Sequence, residues 1–118
     1  MNKVVVTGLG IISPIGNDCN SFLKSLKNGK NGIKEISSFD TSEYNVKIAG
    51  EVNIDLNNFF LKKDLNKLDR FTAFAIIAAD QAILQSKLDK FKSNPNRIGV
   101  IIGSGIGGIS TFEKQHKR

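Results

Sequence analysis

Two side chains in this 118-residue chain, Cys19 and His116, are of the types that carry nucleophilic or metal chemistry. A thiolate beside an imidazole could attack a carbonyl carbon, but such a pair needs further orienting groups, and none stands at a fitting spacing here. The simpler reading makes Cys19 a small residue on an apolar helix face and His116 a solvated residue. With one cysteine and one histidine there is no internal disulfide and no zinc-type ligand spacing.

A third feature is the loop "GSGIGG", Gly103 to Gly108, entered from the β-branched run "RIGVII". It matches G-x-G-x-x-G, the dinucleotide fingerprint, which also requires a helix opening at the loop and an acidic residue about 20 positions on. Only ten residues follow Gly108, so the pattern alone is weak. The earlier "TGLGIISPIG" does not complete the fingerprint, because Ser13 stands where the third glycine belongs, and no G-x-x-x-x-G-K-[ST] loop occurs. Two readings stay open for Gly103 to Gly108. The glycines permit a tight turn with positive φ, or they let the backbone pass close to a ligand or another chain while Ile106 alone projects.

The elements that must position these residues follow from spacing. "KVVVTGLG" reads as a buried strand entering a loop. Asn17 and Asp18 can accept from free amides at a helix start, and Cys19, Phe22, Leu23 and Leu26 recur at helical spacing. Lys24 and Lys27 fall in the last turn, and Gly29 supplies the left-handed stop. Residues 30–60 are irregular and polar, with a possible short strand in "VKIAGEV". A long helix is expected over 66–87, where Leu68, Phe71, Ala75, Ala78 and Ala82 form a face widened by Phe74, Ile77 and Leu84. The alanines leave room for another backbone. Asn94-Pro95 breaks the pattern, and "RIGVIIG" reads as a second buried strand. This order implies an α/β fold with parallel pairing.

The net charge of +6 has an address. Residues 1–59 hold six lysines and six acids, whereas 60–118 hold eleven Lys or Arg against five acids. The excess lies in Lys62, Lys63, Lys67 and Arg70, in Lys87, Lys90 and Lys92, and in Lys114, Lys117 and Arg118. Such clusters steer acidic partners, although a solvated face is the commoner role. They lack the interleaved aromatics of a nucleic-acid binder. Apolar runs fall far short of the ~20 residues that span a bilayer, and no signal-type segment opens the chain. The expectation is a cytoplasmic protein with neither membrane nor nucleic-acid partner.

Four stretches, "VVVTGLGIISPIGN", "FDTS" at Phe39 to Ser42, "KLDRF" at Lys67 to Phe71 and "RIGVIIGSGIGG", come in the order and spacing of the β-ketoacyl-acyl carrier protein synthases. The chain resembles the type II elongating enzymes most, since type I relatives tend to lack the isoleucine in this glycine loop. The resemblance implies a thiolase-like layered α/β fold, with residues 1–118 forming the N-terminal part of its first half and the domain incomplete at the C-terminal end. It also implies a homodimer and acyl and malonyl thioester substrates carried by acyl carrier protein, with no organic cofactor or metal. Family members place their nucleophilic cysteine, two histidines and supporting lysine beyond position 118. Cys19 and His116 match none of these, so the resemblance assigns no catalytic residue to this stretch.

By the same resemblance, Ile106, flanked by Gly105 and Gly107, would lie along the acyl-chain pocket, and Lys62, Lys63 and Lys67 would belong to the surface that receives the acidic carrier protein. Asn66 stands where some relatives have arginine, which thins that field. A chain-length-factor-like partner without the nucleophile and an independent dinucleotide-binding module are the competing functions.

Overall fold

The structure, a computed structural model, describes residues 3–88 and 94–117, in two compact units: residues 10–54, and residues 3–9 together with 55–117. Lys90, Lys92 and Arg118 of the basic clusters lie outside the described residues.

The 10–54 unit opens on a tight turn in which Ser13 and Gly16 exchange backbone hydrogen bonds of 3.0 and 3.3 Å. Glycine is required at 16 because a Cβ there would strike the Phe22 backbone. Helix α1 (Cys19–Lys27) follows. The Asp18 carboxylate caps it, accepting from the Asn20 and Ser21 amides at 2.9 Å each. Hydrogen bonds from Ser21 hold that carboxyl below its ordinary range. At the far end Gly29 takes φ +63°, and the Lys30 and Gly29 amides donate to the Ser25 and Leu26 carbonyls at 2.9 and 3.0 Å. This paired closure satisfies the last carbonyls of the helix. Both expected helix signals are therefore in use.

Strands β1 (Lys34–Glu35) and β2 (Ile48–Ala49) pair antiparallel, with Lys34 opposite Ala49. The expected strand in "VKIAGEV" is β2, while its partner β1 gave no periodic signal. Between them runs a polar loop closed by Glu51, whose carboxylate accepts from the Ser37 amide and hydroxyl at 2.8 Å and from the Ser38 amide at 3.2 Å. The Ser38 side chain, then the Ser37 amide and hydroxyl, pull the Glu51 pKa from 4.5 down to about 2. A depressed carboxyl contributes its stabilisation in full above its unfolded value and loses it as pH falls through the folded one. We therefore expect the Ser37 amide resonance to titrate with a midpoint at about 2, and a midpoint near 4.5 would show that the clasp is not closed in solution.

In the second unit, α2 (Lys62–Leu65) leads into α3 (Arg70–Ser86), and α4 (Ile109–His116) follows the glycine loop. The long helix begins four residues later than its pattern suggests. Leu68 is apolar and in phase, but α2 ends with the Lys67 amide donating to the Asp64 carbonyl at 2.9 Å, and Asp69 is extended. Lys87, at φ 55°, closes α3. Its best-covered side chains are Ala73 and Ile77, at 0% and 4% exposure, whereas Leu84 is 77% exposed. The buried stripe is thus narrower than the sequence suggests. Another backbone does come close to α3 at Ala82, whose carbonyl lies so near Gly8 that a Cβ at Gly8 would collide with it.

The two apolar runs depart from expectation. Neither 3–7 nor 97–103 forms a ladder among the described residues, and the antiparallel β1–β2 pair is the sheet that is seen, not a parallel one. Val4 is 97% and Ile101 99% exposed. A β-branched run has strand propensity, but a strand exists only where a neighbouring edge satisfies its amides and carbonyls. Here those segments remain exposed apolar chain outside any ladder.

Candidate functional site

The glycine loop joins an unpaired apolar segment to α4, and its two ends differ in constraint. A Cβ at Gly103 or Gly105 would meet open space. Gly107 lies at φ +82°, where an L side chain is strained, and its Cα faces the Phe71 ring edge. Gly108 is pressed against the Asp69 carboxylate, which would overlap any Cβ there. Ile106 stands between the free and the fixed halves, 82% exposed. Of the two readings left open by the sequence, the positive-φ turn applies at Gly107 and close approach at Gly108, where the approaching group comes from the chain itself.

A cleft of about 330 Å³ lies beside this junction, lined by Asp69, Arg70, Phe71 and Phe74 of the α3 start and by Gly107 and Gly108. Asp69 accepts a hydrogen bond from the Thr111 hydroxyl in the first turn of α4. A dinucleotide would place its pyrophosphate over such a helix start. Here a carboxylate of the protein already holds that position, and its charge opposes phosphate binding.

Lys62, Lys63 and Lys67 are all solvent-exposed, on α2 and just after it. Arg70, next in that cluster, instead lays its guanidinium over the Phe74 ring at 4.9 Å from the centroid. The structure thus divides the cluster into three outward lysines and one arginine packed on its own helix. Cys19 is the half-buried first residue of α1. His116 stacks on Phe112 within α4, with centroids 6.4 Å apart and planes 3° from parallel. Among the described residues no group of three or more His, Cys, Asp or Glu could hold a metal ion, and no helix is long and apolar enough to cross a membrane.

The β-ketoacyl synthase N-terminal domain matches the chain over residues 1–118. This chain belongs to the β-ketoacyl synthase family. Its relatives include the 3-oxoacyl-[acyl-carrier-protein] synthase 2 of Staphylococcus aureus strain COL, 45% identical over 98% of this chain and 28% of the relative. The protein of the same name from Synechocystis sp. is 44% identical over 96% of this chain and 27% of its own length. This stretch therefore spans just over a quarter of the synthases that it matches. Among solved structures, the ishigamide ketosynthase/chain length factor superposes with a TM-score of 0.74 at 24% identity, covering 96% of this chain and 29% of that one. That likeness is one of fold. A chain of AntDE:AntF, a type II PKS acyl-carrier protein in complex with its ketosynthase, gives 0.64 at 30% identity over 96% of this chain and 30% of its own.

In this β-ketoacyl synthase stretch the glycine loop has a partner, Asp69, that spacing in the sequence does not reveal. The signal was present only as an aspartate at a helix start, where it would normally cap its own helix.

Proposed function

We propose that residues 1–118 form the N-terminal part of the first thiolase-like domain of a type II β-ketoacyl-acyl carrier protein synthase, which elongates fatty acyl chains by decarboxylative condensation. The observation that carries this reading is 45% identity across 98% of the chain to a 3-oxoacyl-[acyl-carrier-protein] synthase 2. In the reaction, an acyl group is held as a thioester on a cysteine that the resemblance places beyond residue 118. Malonyl-carrier protein loses carbon dioxide, the resulting enolate carbon attacks the thioester carbonyl, and the carbon–sulfur bond breaks as the new carbon–carbon bond forms. Residues 1–118 have supporting tasks. Ile106, carried between Gly105 and Gly107, borders the acyl pocket, and Lys62, Lys63 and Lys67 receive the carrier protein. A carrier protein also sits on the ketosynthase of AntDE:AntF, which supports this class of partner.

The test is a chimera in which residues 1–118 replace the matching segment of the Staphylococcus aureus synthase. We expect it to condense acyl and malonyl thioesters, and residues 1–118 assayed alone to give no turnover. A well-folded chimera without activity would overturn the proposal, as would turnover by the chain alone that survives Cys19→Ala.

The docking role makes a separate prediction. Reversing Lys62, Lys63 and Lys67 to glutamate in the chimera should lower kcat/KM for carrier-bound substrate by about tenfold or more at low salt, because exposed charges steer encounter. The gap should narrow as salt rises, with kcat little changed. Equal kcat/KM at low salt would make these three lysines an ordinary solvated face.

A further inference from the structure

We infer that Asp69 is a positioning residue for the glycine loop: its carboxylate pins the start of α4 to the start of α3 and thereby fixes where Ile106 stands. The consequence for substrate length rests on the acyl-pocket reading of Ile106; the pin itself does not.

Asp69 occupies the cap position of α3 with an extended backbone, φ −67° and ψ 148°. An aspartate there would ordinarily accept from amides of its own first turn. It makes no such side-chain bond. Its backbone carbonyl still accepts from the Ala73 amide at 3.1 Å, so the helix start is kept while the carboxylate is turned elsewhere.

That other place lies 42 residues along the chain. Thr111 donates its hydroxyl to Asp69 Oδ1, and the Gly108 Cα leaves room for Oδ1, Oδ2 and Cγ together, all within collision range of a Cβ. Helix α4 has no side-chain cap at Gly108 and no acidic residue in its own first turn. The Asp69 carboxylate supplies the negative group that a helix start favours. Gly107 then takes φ +82° over the edge of Phe71, from the same first turn of α3 as Asp69. Gly108 is thus held at the cap residue of α3, Gly107 beside it is fixed by its positive φ, and Ile106 is the next residue outward. A Cβ at Gly105 would meet open space, so the constraint seen on this loop lies on the Asp69 side of Ile106.

The test uses a complete synthase carrying this sequence. Removing the pin by Asp69→Ala or by Thr111→Ala should speed amide exchange at Gly105 to Gly108 by about tenfold or more, the effect of losing a hydrogen bond to a charged group. Both should also blur primer selection, bringing the kcat/KM ratio between long and short acyl primers toward one. Asp69→Asn and Thr111→Ser keep an acceptor and a donor and should preserve both readouts, which separates positioning from general damage to folding. Unchanged exchange in both alanine variants would overturn the inference. So would an unchanged length ratio where Ile106 substitutions shift it, a result that leaves the acyl-pocket reading intact. Faster exchange with a length ratio that answers neither to Asp69 nor to Ile106 would sustain the pin and remove the acyl-pocket reading instead.

Discussion

Ile106→Phe, in the chimeric synthase, should retain turnover on short acyl primers and lose it on long ones. The physical cause is local. Gly105 and Gly107 leave Ile106 as the one apolar side chain projecting from the loop, and it is bare in the chain by itself. If it borders a dry acyl channel, a larger ring has to be accommodated by an acyl tail that extends past it. Overpacking of this kind costs ~1–3 kcal/mol, which corresponds to roughly a 5- to 150-fold fall in kcat/KM for the primers that reach that depth. Ile106→Ala should act in the opposite direction, relaxing the limit and raising the long-to-short ratio. A series of primers of increasing length, assayed with both variants, checks this. An even fall at all lengths would indicate damaged folding, and no length effect would leave the loop as a turn.

The parts of this fold that the sequence made legible are those closed by local interactions. Asp18 caps α1 through amides two and three residues away, and Gly29 ends it by a positive φ that glycine adopts without strain. Such signals depend on no distant partner. By contrast, β1 at Lys34–Glu35 is two exposed residues defined only by the strand that pairs with it. Apart from the short strand in "VKIAGEV", the 30–60 stretch gives no signal in the sequence, because its order comes from side-chain clasps such as Glu51 on Ser37 and Ser38, which leave no periodicity. Long-range contacts were the least visible. Nothing in "KLDRF" announces that its aspartate bypasses its own helix to reach Thr111, and the glycine at 108 is explained only once that carboxylate is seen against it. The glycine loop was legible as permissive, but which of its glycines is needed for φ, which for space and which for neither required the fold.

The same contrast yields the second large effect, self-association of residues 1–118. The composition of the runs at 3–7 and 97–103 asks for burial, yet Val4, Val5 and Val6 and then Val100, Ile101 and Ile102 are all exposed. Fully covering one such side chain is worth ~1.5–3 kcal/mol, and an extended apolar segment also offers unpaired amides and carbonyls to any strand alongside. Six of them together can outweigh the cost of bringing two chains together, which is itself on the order of 4–15 kcal/mol. We therefore expect the purified 118-residue chain to form oligomers or larger aggregates at about micromolar concentration. Light scattering across a dilution series checks it. The double substitution Val5→Lys with Ile101→Lys should shift the population toward monomer, because a charge at the centre of each run opposes edge-to-edge pairing. A monodisperse, cooperatively unfolding monomer of the unsubstituted chain would overturn the prediction, since two such exposed runs could stay apart in solution only if the chain itself covers them.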